Sequence, residues 1–448
     1  MHARPRALFA SLLVASGAGA AEVPATVQRP TAAVYAAPSF DAQKLATLKQ
    51  STVVSISAQQ GLWYQLTMPA GPPGFVRVND VRLAYANVAD GAANVRVLME
   101  GKAGKGRVTE TAGVRGIDES DLKSAAFNQA QLDAMIGYRV DPTAAAAYAR
   151  EQGWQATSVA YAGEARTGER GAVSVASAAP AAASLAKSVG GLLGALGSSA
   201  GAKLGSSKVD NASKLAGKSE TDLAAEELAL GPQITGRILG ARPLWNDASA
   251  ERRVNLVGRW VASQTSRPDL PWTFGIIDTP EVNAFAAPGG YILLTRGLYE
   301  LLASDAELAA ALAHEISHGV QRDHYNVIRK QQLASAGKDA ALREVSVGNE
   351  TAAASYARQY AEKNGATIML TSLDRDAEYR SDEAAAVYLA RAGMNPLALY
   401  AVLQKMAALG TDSASLAELY KTHPPLDARL DRIDSQGYGA LEAYTTRE

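Results

Sequence analysis

The chain has 448 residues, 44 basic against 45 acidic side chains, and no cysteine. That length predicts two or three domains at one per roughly 100–200 residues, and a formal net charge of −1 gives no electrostatic footing for nucleic acid or an anionic membrane surface. With no disulfide to form, an oxidising compartment is tolerated but not exploited, and stability rests on packed cores and any bound metal.

Residues 1–21 carry Arg4 and Arg6, then the apolar stretch from Leu8 to Ala15, then Ala18-Gly19-Ala20. A basic start, a short apolar core and small residues at the end are the layout of a secretory signal peptide, too short for a permanent membrane anchor. Cleavage near Ala20 or Ala21 and a periplasmic destination are therefore expected.

Residues 23–86 read as short strands at 33–35, 53–56, 63–66 and 74–78, separated by Pro38-Ser39, Gln60-Gly61 and the Pro69 to Pro73 turn chemistry. A small β-barrel is the natural reading. The order of these pieces, with Trp63 after Gly61 and a Gly74-Phe75-Val76 strand later, resembles bacterial SH3-like domains. That resemblance implies a peptide or cell-wall ligand, while packing is the expected role of Trp63 and Phe75.

Residues 87–162 turn polar and helical, with helices around Ser120 to Lys123 and Ala144 to Glu151, and carry no chemistry. Residues 163–219 are dominated by Ala, Gly and Ser and read as a low-complexity linker. Its apolar run around Gly190 to Gly197 is broken by glycines and flanked by Lys187 and Lys203, so no stable membrane span is expected. Residues 220–448 form the remaining domain, with helical stretches over 226–264, a strand over 272–277, a helix over 304–329, a helical cover over 334–367 and a helix within 373–395.

Chemistry concentrates in the sequence ALAHEISHGVQRDH from Ala311 to His324. His314, Glu315 and His318 match H-E-x-x-H, and on a helix residues four apart lie one turn above each other, so both imidazoles reach one ion from one face. Glu315 then sits where it could take a proton from a water activated by that ion. Ser304 and Glu307 have capping-box spacing, and Leu308, Leu312 and Ile316 recur every four residues, so a helix starts near Ser304.

A catalytic zinc needs a third protein ligand and an open position. Glu378 and Asp382 lie four apart on the next predicted helix, where one carboxylate could bind metal and the other orient a ligand imidazole. Spacing alone does not choose Glu378 over Asp374, Asp376 or Glu383. His324 reads as structural or as a support to the metal ligands.

The motif His314-Glu315-Ile316-Ser317-His318 with Arg322-Asp323-His324, then Glu378 and Asp382, then His423-Pro424-Pro425 with Arg429, resembles the zinc metallopeptidases that include HtpX, BepA and the CAAX prenyl proteases. The segment Val282 to Tyr291 also looks like the strand and turn that precede the metal helix in that family, so the similarity covers roughly residues 231–434. It implies an α+β fold, a mainly helical zincin-type domain with a small sheet. It also implies one Zn2+ per chain held by His314, His318 and Glu378, with Glu315 as general base and Asp382 and Arg429 behind the ligands. Asn283, Ala284, Phe285 and Ala286 would form an edge strand that pairs with an extended substrate backbone, followed by the Pro288-Gly289-Gly290 turn. His423, on a loop stiffened by two prolines, has two open roles: donor to a developing oxyanion, or a brake that fills the open metal position.

These expectations combine into an exported zinc endopeptidase acting on envelope proteins, in quality control. The rival is a non-catalytic, chaperone-like or cell-wall-binding protein that keeps the zinc fold as scaffold. The presence of Glu315 argues for the enzyme, because a structural zinc needs no adjacent base.

Overall fold

The computed structural model describes residues 22–69, 71–83, 119–163, 220–336, 364–365, 368–369, 373–409, 413–417 and 419–447. The signal-peptide stretch, the Ala/Gly/Ser-rich linker and most of the expected helical cover over 334–367 lie outside these residues.

The N-terminal part is an antiparallel sheet of β1 (Val23–Val27), β2 (Thr31–Tyr35), β3 (Lys44–Lys49), β4 (Val53–Gln60), β5 (Trp63–Leu66), β6 (Gly74–Arg77) and β7 (Val81–Leu83), in the order β3-β2-β6-β5-β4-β1-β7. Alternation decides which face is inside: Val23, Ala25 and Val27 of β1 and Ala32 and Val34 of β2 are buried, with their neighbours turned outward. At Gly74 the strands come so close that a Cβ would lie 2.3 Å from Val34 Cγ1, so only glycine fits. Strands β1, β3 and β7 add to the four expected from sequence. Trp63 and Phe75 are buried as expected, Trp63 edge-on to Tyr35 and Phe40.

Among the described residues three short helices follow: α1 (Glu119–Ser124), α2 (Gln129–Gly137) and α3 (Pro142–Glu151), the last two capped by the side chains of Asn128 and Asp141. Next come α4 (Glu220–Ala241), α5 (Ala248–Ala262), β8 (Thr273–Ile277), β9 (Ala284–Ala287), β10 (Tyr291–Thr295) and α6 (Arg296–Leu301). The chain continues through α7 (Asp305–Gln321), α8 (Asp323–Ala336), α9 (Arg375–Arg391), α10 (Leu397–Ala408), α11 (Leu419–Thr422) and α12 (Leu426–Gln436). The whole is α+β, mainly helical after the first sheet.

Strands β8, β10 and β9 make a second sheet in that order, β10 parallel to β8 and antiparallel to β9. Every residue of these strands is buried, because successive side chains serve two different cores. Phe274, Ile276, Ile292 and Leu294 join the core that contains residues of α5, α7 and α9, whereas Ile277, Phe285, Tyr291 and Leu293 pack with Leu230, Ile234 and Ile238 of α4 and Met135 of α2. The metal helix α7 packs against α9, α10 and α5, which brings the two ligand-bearing helices side by side.

The expected continuous helix over 304–329 is in fact two. Helix α7 stops at Gln321, Arg322 takes a left-handed backbone (φ 59°, ψ 31°), and α8 starts at Asp323. Gly319 does not end the helix; its missing side chain admits the Trp272 ring.

The N-terminal sheet and the helices share a hydrophobic core. Gln404 on α10 donates to Val78 O at 2.8 Å and accepts from Leu83 N at 3.0 Å, so its amide substitutes for a neighbouring strand. Arg77 donates to Thr445 O at 2.6 Å, and Arg82 pairs with Asp431 of α12 at 2.6 Å.

Candidate metal centre

Helix α7 is set at its start by Ser304, whose hydroxyl accepts from Glu307 N at 3.2 Å. Glu307 returns its carboxylate to Ala303 N at 2.7 Å, one residue before the usual capping-box partner. Fourteen residues of α7 are buried, among them His314, Glu315 and His318. Helix α9 is capped by Asp374, which accepts from Ala377 N at 2.7 Å, and this phase turns Glu378 and Asp382 towards α7. Of the four carboxylates that spacing left open, Asp374, Asp376 and Glu383 are exposed and Glu378 is buried beside the imidazoles.

His314 Nδ1 faces Asp382 Oδ1 at 3.0 Å, and His318 Nδ1 faces Asp323 Oδ2 at 2.9 Å. A proton on each Nδ1, donated to its carboxylate, leaves each Nε2 with a lone pair. The two Nε2 atoms are 3.3 Å apart, and lie 3.5 and 3.6 Å from the Glu378 oxygens, of which Oε2 is buried without a hydrogen-bond partner among the described residues. Three buried acceptors thus converge with no donor between them among the described residues, which is costly unless a cation sits among them. Ligand atoms at roughly 2.0–2.1 Å from a tetrahedral zinc are about 3.3–3.4 Å from one another, close to the separations found here. The donor set and its spacing therefore fit a single zinc ion.

His423 joins the same group. Its Nε2 lies 3.7 Å from Glu315 Oε1 and 3.8 Å from Glu378 Oε2, and the ligand atoms of His314, His318, Glu378 and His423 all fall within 4.8 Å of one another. Thr422 Oγ1 is 2.8 Å from His423 Nδ1 and fixes the other side of the ring. Arg429, on α12, holds Asp382 through Nε at 2.9 Å and through Nη2, and Nη2 is also 3.2 Å from His314 Nδ1.

The electrostatics follow from crowding charges in a dry site. Burial raises the Glu315 carboxyl, but the nearby His423 ring together with His314 and His318 outweighs it and holds the group down at about 2. For Asp382 burial again acts upward, and Arg429 with His314 brings it to about 2. Burial and Arg429 push the His314 imidazole down, yet Asp382 and Glu378 push it further up, to about 9. The negative field that favours a proton there favours a dication equally, so the two compete for the site.

Residues 248–436 match the family model described as peptidase family M48. This region is an M48 metallopeptidase domain.

The beta-barrel assembly-enhancing protease of Escherichia coli (strain K12) is 28% identical to the chain over 206 residues, which is 46% of this chain and 42% of that protein. A putative beta-barrel assembly-enhancing protease of Vibrio cholerae is 26% identical over 206 residues, 46% of this chain and 43% of that protein. The mitochondrial metalloendopeptidase OMA1 of Arabidopsis thaliana is 29% identical over 155 residues, 35% of this chain and 29% of that protein. The match thus spans less than half the length of these curated relatives. M48 peptidases are zinc-dependent, in agreement with the donor set.

Within the M48 domain the expected edge strand is β9, which among the described residues pairs only with β10. Ala284, Phe285 and Ala286 are buried, and Asn283 precedes the strand, its Oδ1 accepting from Ala284 N and its buried Nδ2 without a partner among the described residues. The turn after it falls where expected, with Gly289 and Gly290 at φ 72° and 87°, values that favour glycine. His324 is half-buried behind His318, ring centres 6.0 Å apart, and desolvation together with His318 pushes it down to about 4.

Asp323 and Ser381, whose Oγ is 3.1 Å from His318 Nδ1, were not anticipated as partners of that ring. Five positions past His318, Asp323 would lie off the ligand face of a straight helix; the reversal at Arg322 swings it back.

Proposed function

We propose that this chain is an exported zinc-dependent endopeptidase that hydrolyses peptide bonds of envelope proteins in quality control. The observation that carries the reading is the convergence of His314, His318 and Glu378 on one point, with the Glu315 carboxylate beside it. When bound, zinc supplies a Lewis acid that polarises a carbonyl and makes water nucleophilic near neutral pH. Asp382 and Asp323 hold the two ligand imidazoles in the tautomer that points Nε2 inward. Glu315 accepts a proton as water attacks the scissile carbonyl and passes it to the leaving amine. Strand β9 offers main-chain hydrogen bonds to an extended peptide, with Asn283 Nδ2 as a further donor, which favours unfolded substrates over folded ones.

The periplasmic destination rests on the signal-peptide pattern of residues 1–21. Among the described residues no helix is long and apolar enough to cross a membrane. A peptide or cell-wall ligand for the N-terminal sheet rests on its resemblance to SH3-like domains.

Degradation of casein by the purified full-length chain, with Glu315→Gln alongside, tests the enzyme reading. Loss of cleavage in Glu315→Gln is expected, and equal cleavage by both proteins would refute it.

A second reading, an enzyme held in check, is favoured by His423, whose Nε2 sits among the ligand atoms and against Glu315. On that reading His423→Ala cleaves casein faster than wild type. Slower cleavage with zinc retained would instead support the oxyanion-donor role.

A further inference from the structure

The far end of the metal helix is anchored on a buried carboxylate outside both the donor set and the imidazole partners. Glu227, on α4, is fully buried. Arg267 donates to it twice, Nη1 to Oε1 at 2.9 Å and Nη2 to Oε2 at 2.8 Å, and Arg322 donates Nε to Oε2 at 2.8 Å. Gly289 N lies 3.4 Å from Oε1. The same Arg267 Nη1 also donates to Gly319 O at 2.9 Å, a carbonyl in the last turn of α7 that accepts from Arg322 N at 3.3 Å as well, so Arg267 and the reversal share one acceptor.

We propose that Glu227 is a positioning residue for the metal centre, acting on His318 through Arg322 and Asp323 and on the β9 edge through the Gly289 turn. The inference rests on the metal reading given above.

The chain of contacts is short. Arg322 adopts a left-handed backbone that disfavours a residue with a Cβ, and its guanidinium is held by Glu227. The next residue is Asp323, whose carboxylate receives His318 Nδ1. A shift of the reversal at Arg322 therefore moves the group that fixes the His318 tautomer. On the other side, α4 approaches the turn so closely that a Cβ at Gly231 would lie 2.3 Å from Pro288 O, so turn and helix move together. Simple packing does not need a carboxylate here, since apolar residues of similar volume serve a core as well as a buried ion cluster. What the carboxylate adds is direction: it accepts from two planar guanidinium groups whose N–H vectors are fixed.

The test uses the full-length chain stripped of metal and titrated with cobalt(II), read by its visible absorption band. Glu227→Gln keeps the shape and removes the charge. It is expected to bind cobalt about 10-fold or more weakly, in the range found for residues behind metal ligands, and with an altered band. Arg322→Gln alone is expected to weaken binding too, and the double variant to be no weaker than the worse single one, because both act through one interaction. Wild-type affinity and an unchanged band in Glu227→Gln would overturn the inference. Should Glu227→Gln fail to fold, Arg322→Gln decides by itself, and unchanged binding there overturns it equally. A wild-type chain that takes up no cobalt would overturn the metal centre itself, a result distinct from a wild type that binds and a variant that binds as well.

Discussion

Arg429 clasps Asp382 with two guanidinium nitrogens, and both side chains are almost wholly buried. Asp382 in turn faces His314 Nδ1, so a residue on α12 orients an imidazole on α7 by way of a carboxylate on α9. The pairing needs the planar fork, because one face of the guanidinium must serve both oxygens. Arg429→Lys is expected to bind zinc roughly 10- to 100-fold more weakly while folding at 25 °C. Zinc affinity measured by competition with a chelator checks this, and an unchanged constant would remove Arg429 from the centre.

Glu315 and Glu378 are both buried carboxylates near the same imidazoles, and their substitutions separate their roles. Glu315→Gln is expected to retain zinc at one per chain and to lose about 10²–10⁴ in kcat/KM, the usual worth of a placed general base. Glu378→Ala is expected to lose zinc and to unfold at lower temperature, because the ion ties α7 to α9. Metal content and thermal unfolding of the two purified variants decide between these outcomes. Full zinc occupancy in Glu378→Ala would remove that residue from the ligand set.

Glu251 on α5 predicts how stability varies with pH away from the metal. Its carboxyl is fully buried; Oε1 accepts from Ile276 N at 3.0 Å, and Oε2 has no partner among the described residues. Burial pushes the group up to about 8, with the Ile276 hydrogen bond acting against it and Asp247 adding to the rise. The folded state then binds a proton that the unfolded chain releases near its ordinary value of 4.5, so this group's stabilising effect is complete below that value. It is lost as pH rises towards 8, by an amount on the order of a few kcal/mol. Glu251→Gln, which cannot ionise, is expected to match wild type near pH 4.5 and to exceed it in stability at pH 8. Urea unfolding at the two pH values checks this, and parallel pH profiles would refute it.

How much of this was legible in the sequence depended on whether the signal was local. The His314 and His318 spacing, the Ser304 cap and the placement of Glu378 and Asp382 are properties of single helices, and the structure has them on those helices. Asp323 was not legible, because its approach to His318 depends on a left-handed residue at Arg322, where an arginine gives no such signal. The choice of Glu378 over its acidic neighbours came from resemblance; the physical reason is the phase that Asp374 sets as cap. Strand β1 was hidden by Pro24, which marks a chain as edge or irregular. Here Pro24 lies beyond the pairing with β7, whose register runs from Ala25 to Val27, so its missing N–H costs no bond on that side. Strand β3 begins and ends in lysine and is largely exposed, so it lacked the apolar alternation that identifies a strand.

The ion pair between Lys405 Nζ and Glu307 Oε2, 2.7 Å long with both side chains buried, joins α10 to the first turn of the metal helix. Gln59 of β4 donates to the other Glu307 oxygen at 3.1 Å, so the N-terminal sheet meets the metal helix at the same carboxylate. Replacing Lys405 with methionine keeps the volume of the stem and removes the charge, leaving Glu307 buried with the Ala303 N–H and the Gln59 amide as neutral donors. Breaking one side of a buried pair costs about 3–5 kcal/mol, far more than an exposed pair would. Lys405→Met is therefore expected to lower the stability of the full-length chain by that order. Glu307→Gln combined with Lys405→Met, which removes the stranded charge, is expected to recover a large part of the loss. Denaturant unfolding of the two variants against wild type measures both quantities, and a single variant as stable as wild type would show that the pair does not brace the helix.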